Sequence, residues 1–519
     1  MNLSISSNEN QDLVLQRGKK LKAIADLGFE LYPRKFDFSH TLPQILAGYS
    51  DQTAEKLAEN KVSVRVSGRV MTIRPHGKAG FAHLQGEGAR LQVYIRLDAV
   101  GERDFELFKL LDLGDVIGVE GYLFRTRTGE LTVHAEHLYF LAKALLPLPE
   151  KWHGLTDVEI RYRQRYLDLM VNDEARLVFE RRSKLIKALR EFLEGQGYVE
   201  VETPMMQPMA GGAMARPFIT HHNTLDMDLY LRIAPELYLK RLIVGGLDRV
   251  YEVNRNFRNE GISTQHNPEF TMLEFYQAYA DYRDMMDLSE RLMQHVARAV
   301  SGSLEFDYGE HHISFENFQR LTMKEAIVRY WPEEAGAGPA VESFADPKAV
   351  FEWVKTYNSW APKSGGRYAP LVLPEGGAAG TALQDLFEVV AEHQLIQPTF
   401  ITDFPLEVSP LSKQKPDDPN FVERFELYVA GMEIANAFSE LNDPAEQRDR
   451  FEYQQLLRDR GDLTAHAIDE DYIRALSYGM PPTGGEGVGI DRLVMLLTNS
   501  HSIRDVILFP LLRPEKSQG

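Results

Sequence analysis

The sequence predicts an α+β protein in which a small all-β module precedes a larger mixed domain. Short alternating apolar runs, separated by glycines and turns, fill residues 61–142 and are typical of strands. From about residue 198 to 513, strand-like and helix-like patterns are mixed, and several neighbouring runs could pair as antiparallel strands. A chain of 519 residues is too long for a single core, so two or three domains are expected.

A helix is predicted first, within an N-terminal helical extension over residues 1–60. Apolar residues recur there at helical spacing, at Leu13, Leu21, Ile24 and Leu27. Gly28 and then Pro33 would end this helix, since glycine and proline stop helical patterns.

The strand-rich module is predicted over residues 61–145. About five strands in roughly 80 residues suggest a small barrel such as an OB-fold, and a fragment of a sandwich is the alternative. A proline-marked linker over residues 146–160 follows. Residues 161–519 are predicted to form the larger domain, and a Gly/Pro-rich stretch around 332–380 is interpreted as an insertion with loops.

Composition excludes several classes of protein. The chain has no cysteine, which rules out disulfides and thiolate zinc sites and fits a reducing cytoplasm. No apolar run is long enough to span a membrane, and no secretory signal is recognisable at the start. The net charge is −18, yet residues 61–145 carry 12 Lys+Arg against 10 Asp+Glu, so this module could hold a polyanion on an acidic body. Ordinary surface variation explains this charge pattern equally well.

The first cluster of chemically useful residues lies in residues 255–276, interpreted as strand, loop, strand. Because strand side chains alternate, Arg258 and Glu260 are predicted to share a face. One face of the return strand carries Phe270, Met272, Glu274 and Tyr276. If the two faces coincide, the arginine fork could hold a phosphate and a carboxylate together. A surface hairpin with scattered ion pairs is the alternative.

A second hairpin is predicted over residues 425–440, with its turn at Ala430 and Gly431. Pairing across that turn would set Tyr428 opposite Glu433 and place Glu426 diagonally from Glu433. Two carboxylates at this separation repel each other unless a cation lies between them, and magnesium prefers a few carboxylates plus substrate phosphates. Solvated carboxylates on an edge strand are the alternative.

The same hairpin continues with residues of the opposite parity. Asn436, Phe438 and Glu440 share one face, whereas Glu433 belongs to the other. Both sets can line one site only if a β-bulge near Ile434 or Ala435 changes the alternation.

The third cluster, residues 484–492, is predicted to be a glycine-rich strand followed by a helix that starts near Asp491. Glycines let a ligand approach the backbone, and Arg492 in the first helical turn would add charge where a phosphate can bind. The glycine spacing matches neither a Walker A loop nor a dinucleotide fingerprint. Together the three clusters indicate a nucleotide site without a P-loop.

These segments resemble the class II aminoacyl-tRNA synthetases, and among them most closely the lysyl-tRNA synthetases of the bacterial type. Phe-Arg-Asn-Glu at 257–260 is similar to motif 2 of that class, and Gly-Val-Gly-Ile-Asp-Arg at 487–492 to motif 3. Residues 197–204 are similar to motif 1, which supplies the dimer interface. The resemblance runs from about residue 12 to 514 and includes the stretches 211–222, 232–241 and 498–505. It implies an antiparallel sheet flanked by helices, preceded by an OB-fold that reads the anticodon.

The resemblance implies catalytic roles for Arg258 and Arg492. Arg258 would hold the ATP α-phosphate and the lysine carboxylate, and Arg492 would cover adenine or reach the γ-phosphate. Further ATP contacts are implied for Glu260, His266, Asn267, Phe270 and Glu426, with Phe270 stacked on adenine. Glu426 and Glu433 would carry Mg²⁺ on the phosphates. Catalysis in such an enzyme is mainly positioning and charge neutralisation.

A lysine pocket is implied as well, because a desolvated ε-ammonium needs carboxylate or hydrogen-bonding partners. Glu274, Tyr276 and Glu440 match the family's positions around that ammonium. Gly212, Glu236 and Asn436 match those around the α-amino and carboxylate groups, and Phe438 belongs to the same pocket. In the barrel, Phe81, Gln92 and Glu130 match the anticodon-binding positions. A core position is the alternative for Phe81.

The implied partners are tRNA(Lys), ATP, L-lysine and a second copy of the chain, without a membrane or DNA. Two residues depart from the family pattern: Glu486 is expected to add negative charge near the phosphate site, and Met432 to remove a cation beside the magnesium carboxylates. Two other functions are alternatives. A non-catalytic tRNA-binding relative should have lost an essential arginine or carboxylate, and a protein-lysylating paralogue should lack the strand-rich module.

Overall fold

The computed structural model describes residues 8–148, 155–373, 377–462 and 464–514. The chain forms two compact units, residues 1–176 and 177–519. Residues 149–154, in the predicted linker, and the first seven residues of the predicted extension lie outside the described residues.

The first unit is built on a closed five-stranded barrel with strand order β1-β2-β3-β5-β4. Its described elements are α1 (Asn8–Asp26), α2 (Leu42–Tyr49), α3 (Ala54–Glu59), β1 (Ser63–His76), β2 (Ala79–Gly86), β3 (Ala89–Arg96), α4 (Leu97–Leu110), β4 (Val116–Arg125), β5 (Leu131–Ala142), α5 (Val158–Arg163) and α6 (Arg165–Val171). The barrel confirms the predicted OB-fold, and the alternative of a sandwich fragment is wrong.

Alternation along the strands explains why these residues close a barrel. Val64, Val66 and Val70 of β1 are buried in its interior, together with Val93 and Ile95 of β3. Polar residues between them point outward, as the two-residue period of a strand requires. The β4–β5 pairing shifts register beside Gly121, where an added Cβ would collide with the His134 carbonyl oxygen, so only glycine fits.

The predicted N-terminal helix is confirmed as α1. It ends two residues before Gly28, whose φ of +80° glycine adopts readily. Helices α2 and α3 were not predicted. They are short, and Thr41 and Thr53 cap their first turns by accepting hydrogen bonds from backbone N–H groups.

The second unit is centred on an eight-stranded sheet with the order β14-β15-β16-β17-β18-β11-β10-β6. Strands β7, β8 and β9 form a separate three-stranded sheet, and β12 and β13 a two-stranded one. The described strands of the second unit are β6 (Val199–Glu200), β7 (Met206–Gln207), β8 (Ile219–His222), β9 (Met227–Leu231), β10 (Arg249–Phe257), β11 (Glu269–Ala278), β12 (Glu305–Tyr308), β13 (His311–Ser314), β14 (Gln319–Thr322), β15 (Thr399–Pro405), β16 (Phe421–Val429), β17 (Met432–Ser439) and β18 (Thr483–Gly489). Pairing is antiparallel except at the two ends, β14–β15 and β10–β6. The predicted antiparallel sheet is therefore confirmed.

Helices flank this sheet. They are α7 (Asp173–Gly195), α8 (Glu236–Val244), α9 (Tyr282–Ser301), α10 (Met323–Arg329), α11 (Pro347–Trp360), α12 (Ala379–Val390), α13 (Pro444–Asp459), α14 (Glu470–Leu476), α15 (Ile490–Thr498) and α16 (Ile503–Val506). Helix α9 shows why they pack: a capping box at Asp281 starts it, and its buried side chains, such as Met285, Leu292 and Val296, follow helical spacing. Side chains of α7, α9 and α15 pack against one face of the sheet and form one core with it. The opposite face of the sheet carries the site.

The stretch predicted as an insertion, residues 332–380, is more ordered than a set of loops. It contains α11 and three short 3-10 turns, Glu333–Ala335, Val341–Ala345 and Ala361–Lys363, and residues 374–376 lie outside the described residues. Val350, Val354 and Tyr357 of α11 pack with residues of α10 and α12 in a hydrophobic core of their own.

Candidate active site

A cavity of about 630 Å³ lies against the sheet of the second unit. Every residue that the sequence assigns to ATP, lysine or magnesium lines this cavity: Gly212, Glu236, Arg258, Glu260, His266, Asn267, Phe270, Glu274, Tyr276, Glu426, Glu433, Asn436, Phe438, Glu440 and Arg492. The structure thus brings together residues that are up to 280 positions apart in the sequence.

The β10–β11 hairpin positions Arg258. Its register sets Asn256 opposite Phe270, and the backbone N–H of Arg258 continues the ladder by donating to the Pro268 carbonyl oxygen at 2.9 Å. The strand ends at Phe257, so the predicted alternation does not extend to Glu260, which reaches the cavity from an exposed loop. The guanidinium carbon of Arg258 lies 5.0 Å from the centre of the Phe270 ring.

Arg258 is a cation without an ion-pair partner in the described structure. Among the described residues, no carboxylate oxygen forms an ion pair with its guanidinium within 4.0 Å. Its Nε is buried and makes no hydrogen bond. Burial lowers the pKa of Arg258, and the charges of Glu433 and Glu260 oppose this by less. An arginine remains protonated at neutral pH, so this guanidinium is available to an anionic ligand.

Arg492 occupies the first turn of α15, as predicted. Its Nη1 donates to the Glu433 carbonyl oxygen at 2.7 Å and lies 3.3 Å from Glu433 Oε2, and its Nη2 lies 3.3 Å from His266 Nε2. The start of the helix is fixed by Asp491, whose carboxylate accepts from the Thr271 backbone N–H at 2.7 Å. A phosphate at this end of the cavity would meet Arg492 beside a helix N-terminus.

The predicted bulge in the β16–β17 hairpin is confirmed. Tyr428 pairs with Glu433 and Leu427 with Ala435, so Ile434 is the extra residue. The turn at Ala430 and Gly431 has positive φ at both positions, 52° and 69°, which is the geometry of a type I′ hairpin turn. The bulge lets residues of both parities line the cavity.

Glu426 and Glu433 face the cavity on neighbouring strands. The buried carboxylate of Glu426 accepts hydrogen bonds of 2.5 Å from Arg424 Nη2 and from the Tyr428 hydroxyl. The pKa of Glu426 is raised to about 7, because burial and the charge of Glu433 together outweigh the lowering by Arg424. Mutual repulsion of this kind is relieved when a cation binds between the two carboxylates.

The end of the cavity lined by Glu274 and Glu440 is acidic. Glu274 and Glu440 are buried, and the Tyr276 hydroxyl donates to Glu274 Oε2 at 3.2 Å. The pKa of Glu274 is raised to about 8, mainly by burial and also by the nearby charge of Glu236. On β18 a Cβ at Gly485 would collide with Glu440 Oε1 and with the Tyr276 ring, so glycine is needed for these side chains to meet.

A buried lysine, Lys240, joins two of these carboxylates and was missed by the sequence analysis. Its Nζ donates to Glu236 Oε1 at 2.6 Å and forms an ion pair with Glu440 Oε2. Glu236 and Lys240 are four residues apart on α8, a spacing that usually marks an exposed helical ion pair. Only the three-dimensional structure shows that this pair faces inward.

The three predicted anticodon residues share one surface of the barrel in the first unit. Gln92 Nε2 donates to Glu130 Oε2 at 2.8 Å, and the half-buried Phe81 ring lies 4.7 Å from the Tyr94 ring. His83, which the sequence analysis did not select, lies 3.0 Å from Glu130 Oε1. Phe81 is therefore not a core residue, and an aromatic ring beside amide and carboxylate groups is suited to single-stranded bases.

Comparison with known proteins agrees with this geometry. Residues 157–513 match the family model of class II tRNA synthetases (D, K and N), and residues 64–141 match that of the OB-fold nucleic acid binding domain. The chain is 54% identical to a lysine–tRNA ligase of Pelotomaculum thermopropionicum, covering 97% of this chain and 96% of that one. It is 52% identical to that of Carboxydothermus hydrogenoformans, covering 98% and 99%, and 50% identical to that of Syntrophomonas wolfei over the full length of both.

The chain belongs to the lysine–tRNA ligase family. It is accordingly a class II aminoacyl-tRNA ligase with an OB-fold domain. Its relatives in the lysine–tRNA ligase family match through the barrel as well as the catalytic unit, which disfavours the shorter protein-lysylating paralogue. A non-catalytic relative should have lost an essential arginine or carboxylate. Here the cavity retains all four of these residues, Arg258, Glu426, Glu433 and Arg492. Among the described residues, no helix has the length and apolar character to cross a membrane.

The expectations for the two residues that depart from the lysine–tRNA ligase pattern are wrong, because their side chains point away from the cavity. Gly485 and Gly487 of β18 face the cavity, so Glu486 between them faces the helix-covered side, near Tyr198 and Ser289. Met432 is buried in the core on that side, with the Tyr308 hydroxyl 3.9 Å from its sulfur.

Glu486 has a consequence for stability instead. Burial raises the pKa of its carboxyl to about 8 although the neighbouring Ser289 hydroxyl lowers it, and the carboxyl has no ion-pair partner among the described residues. A folded-state pKa above the unfolded value of 4.5 means that stability is full below pH 4.5 and is lost as pH rises towards 8. We expect Glu486→Met to raise the free energy of unfolding at pH 8 by about 2 kcal/mol, since an apolar residue of similar size replaces a buried, unpaired acid.

Thermal denaturation at two pH values measures this effect. At pH 8 the melting temperature should rise by about 3 °C, and at pH 5, where the wild-type carboxyl is protonated, the gain should be smaller. An equal gain at both pH values, or none at pH 8, would contradict the assignment of a buried, unpaired carboxyl.

Proposed function

We propose that the chain activates L-lysine with ATP to form lysyl-adenylate and then transfers lysine to the 3′ end of tRNA(Lys). The observation that carries this proposal is the cavity itself. At one end Arg258 and Arg492 offer cationic groups to phosphates, and at the other Glu274 and Glu440 offer buried carboxylates to an ammonium. A substrate that carries an ammonium on a flexible chain and a carboxylate at its other end fits this distribution of charge.

In the first step, the lysine carboxylate attacks the α-phosphorus of ATP, and pyrophosphate leaves. Arg258 would hold the carboxylate and the α-phosphate together, so that the two reacting groups meet in one orientation. Phe270 would stack on adenine, and Arg492 would contact the base or the γ-phosphate. Glu260, His266 and Asn267 line the same part of the cavity and would contact the nucleotide. No side chain of the protein acts as a nucleophile.

Glu426 and Glu433 fit a magnesium ion that arrives with ATP. Two carboxylates on neighbouring strands, one with its pKa raised to about 7, are the donors that Mg²⁺ uses together with phosphate oxygens. Within the described residues, no group of three or more His, Asp or Glu side chains could hold a metal without the nucleotide. When bound, the ion neutralises phosphate charge, while Arg424 and Tyr428 hold Glu426 in place.

The α-amino end of lysine would lie near Gly212, Glu236 and Asn436. Asn436 pairs with Glu426 across the β16–β17 hairpin, and its Oδ1 accepts from Arg424 Nε at 3.1 Å. Phe438 and Tyr276 would enclose the methylene chain, and Glu274 and Glu440 would neutralise the ε-ammonium. An aspartate-specific site would require cations at this end instead.

In the second step, a ribose hydroxyl of the tRNA terminus attacks the carbonyl carbon of lysyl-adenylate, and AMP leaves.

We propose that Phe81, Gln92 and Glu130 bind anticodon bases, because the ring and the amide–carboxylate pair share one surface. Phe81→Ala should raise KM for tRNA and leave lysine-dependent pyrophosphate exchange unchanged. A cytoplasmic location, where tRNA is charged, is part of the proposal.

We also propose a homodimer. The edge strand β6 exposes Val199, and the nearby small sheet of β7, β8 and β9 exposes Met206 and Ile219. Exposed apolar side chains on and beside a sheet edge are typical of surfaces that pair with another copy. Sedimentation velocity should give twice the mass of the chain, and a monomer at micromolar concentration would contradict the proposal.

The function is tested by ATP–pyrophosphate exchange with each of the twenty amino acids, followed by charging of total tRNA. We expect exchange with lysine alone and formation of lysyl-tRNA. Exchange without charging would favour a protein-lysylating activity, and absence of exchange with every amino acid would contradict the proposed reaction.

Lysine binding should depend on pH through Glu274. With its pKa raised to about 8 by burial, Glu274 is mostly protonated at pH 6 to 7, and a bound ammonium favours its ionised form. Binding should therefore release a proton, and affinity should increase by about tenfold per pH unit in this range for each proton released. Calorimetric titration in two buffers of different ionisation enthalpy measures the release, and Glu274→Gln is the control that should reduce it. A pH-independent affinity would contradict this role of Glu274.

A further inference from the structure

The lysine end of the cavity already contains an ammonium, that of Lys240. This side chain is fully buried, with its Nζ 2.6 Å from Glu236 Oε1 and in an ion pair with Glu440 Oε2. Its Nζ also lies 5.3 Å from the centre of the Phe438 ring. Thus Lys240 contacts three of the residues proposed to bind lysine.

We propose that Lys240 is a positioning and specificity-determining residue for lysine recognition, acting as a fixed internal counter-ion that orients Glu440 and sets the charge left for the substrate. The inference rests on the proposed function. One oxygen of Glu440 pairs with Lys240, while the other, Oε1, lies where a Cβ on Gly485 would be and next to the Tyr276 ring. Oε1 is the oxygen of Glu440 that Lys240 leaves free for a substrate ammonium.

Charge balance supports this arrangement. Glu236, Glu274 and Glu440 can carry three negative charges, and Lys240 neutralises one of them. The two that remain match the α- and ε-ammonium groups of lysine, whose carboxylate is assigned to Arg258. Without substrate, burial raises the pKa values of Glu274 and Glu440, and the charge of Glu236 adds to this for both. For Glu440, Lys240 opposes the rise.

The position of Lys240 also limits how deeply a substrate ammonium can enter. A second ammonium that moved past Glu440 Oε1 would approach the fixed charge on Nζ, and like charges at short distance repel strongly in a buried site. Tyr472, which is buried near Lys240, carries no charge at neutral pH, since burial raises its pKa. The internal ammonium thereby defines the end of the pocket by charge as well as by shape.

The test replaces Lys240 without changing its neighbours. Lys240→Met keeps the length of the side chain and removes its charge, so we expect KM for lysine to rise by 10- to 100-fold and KM for ATP to change by less than twofold. Lys240→Gln can still donate hydrogen bonds to both carboxylates but carries no charge. If the charge of Lys240 is required, this variant should also raise KM for lysine and leave KM for ATP nearly unchanged. This second variant also serves if Lys240→Met does not fold.

Chemical rescue separates charge from packing. In Lys240→Ala, propylammonium added at 10–100 mM should lower KM for lysine at least fivefold by occupying the vacated space. Arg241→Gln is the matched control: Arg241 is the next residue of α8, but its ion pair with Asp469, at 2.8 Å, lies outside the cavity, so KM for lysine should not change.

The outcomes distinguish this inference from the proposed function. If the wild-type chain gave no lysine-dependent pyrophosphate exchange, the proposed function itself would fail. If the wild type were active and Lys240→Gln kept the wild-type KM for lysine, or if KM for ATP rose in parallel, the role of Lys240 would be refuted. A folded Lys240→Ala variant that propylammonium does not restore would refute it as well.

Discussion

Replacing Arg258 by alanine should reduce lysine-dependent pyrophosphate exchange by about 1,000-fold while leaving the fold intact. Arginine groups that neutralise phosphate charge in the transition state contribute effects of this size. Arg258 is well placed for such a role, because it lines the cavity, has no ion-pair partner in the described structure and lies over the ring proposed to bind adenine. The loss should appear in the rate of adenylate formation more than in KM for lysine, since the interaction is strongest in the transition state.

The stability of the same variant provides an independent readout. Burial without a counter-ion lowers the pKa of Arg258, which means that the charged guanidinium does not stabilise the folded state. Removing it should therefore not lower the free energy of unfolding. We expect the melting temperature of Arg258→Ala to be equal to or above that of the wild type. Arg255→Ala is the matched control: it is exposed on the same hairpin, and its one ion pair among the described residues is with Glu269, at 3.5 Å, so exchange should be unchanged. Full activity of Arg258→Ala would remove the phosphate role.

Local patterns in the sequence were sufficient to predict the hairpins of the site. The alternation in β11, the turn at Ala430 and Gly431, and the glycine-rich strand before Arg492 are all determined by near neighbours. Parity also indicated that both faces could line one cavity only with a bulge near Ile434 or Ala435, and the structure has that bulge at Ile434. The family resemblance then supplied roles that spacing alone could not give.

The errors arose where three-dimensional packing decides. Glu486 was placed beside the phosphates, but its neighbours Gly485 and Gly487 occupy the cavity face, and alternation directs its side chain into the core. Lys240 was overlooked because a Glu–Lys pair four residues apart on a helix is ordinarily exposed. Whether such a pair faces solvent or substrate depends on which side of α8 packs against the sheet, which the sequence does not reveal.

Glu440→Gln should lower kcat/KM for lysine by about 100-fold, mainly through KM. Removing one partner of a buried ion pair leaves an uncompensated charge and costs about 3 kcal/mol, or roughly two powers of ten in affinity. Here the cost arises twice. The substrate ammonium loses the charge near Glu440 Oε1, and Lys240 retains only Glu236 as its partner. KM for ATP should stay within about twofold, because Glu440 lies at the opposite end of the cavity from Arg492.

A neutral analogue of lysine sharpens this prediction. Norleucine has the same side chain without the ε-ammonium, so the wild type should reject it. In Glu440→Gln, the ratio of kcat/KM for lysine to kcat/KM for norleucine should fall. The factor should be similar to the fall in kcat/KM for lysine itself. Glu269→Gln, which removes an exposed carboxylate from the start of β11, should leave the ratio unchanged. If Glu440→Gln kept both its KM for lysine and its preference over norleucine, the ammonium would have to bind elsewhere, and the buried position of Glu440 beside Lys240 would be structural only.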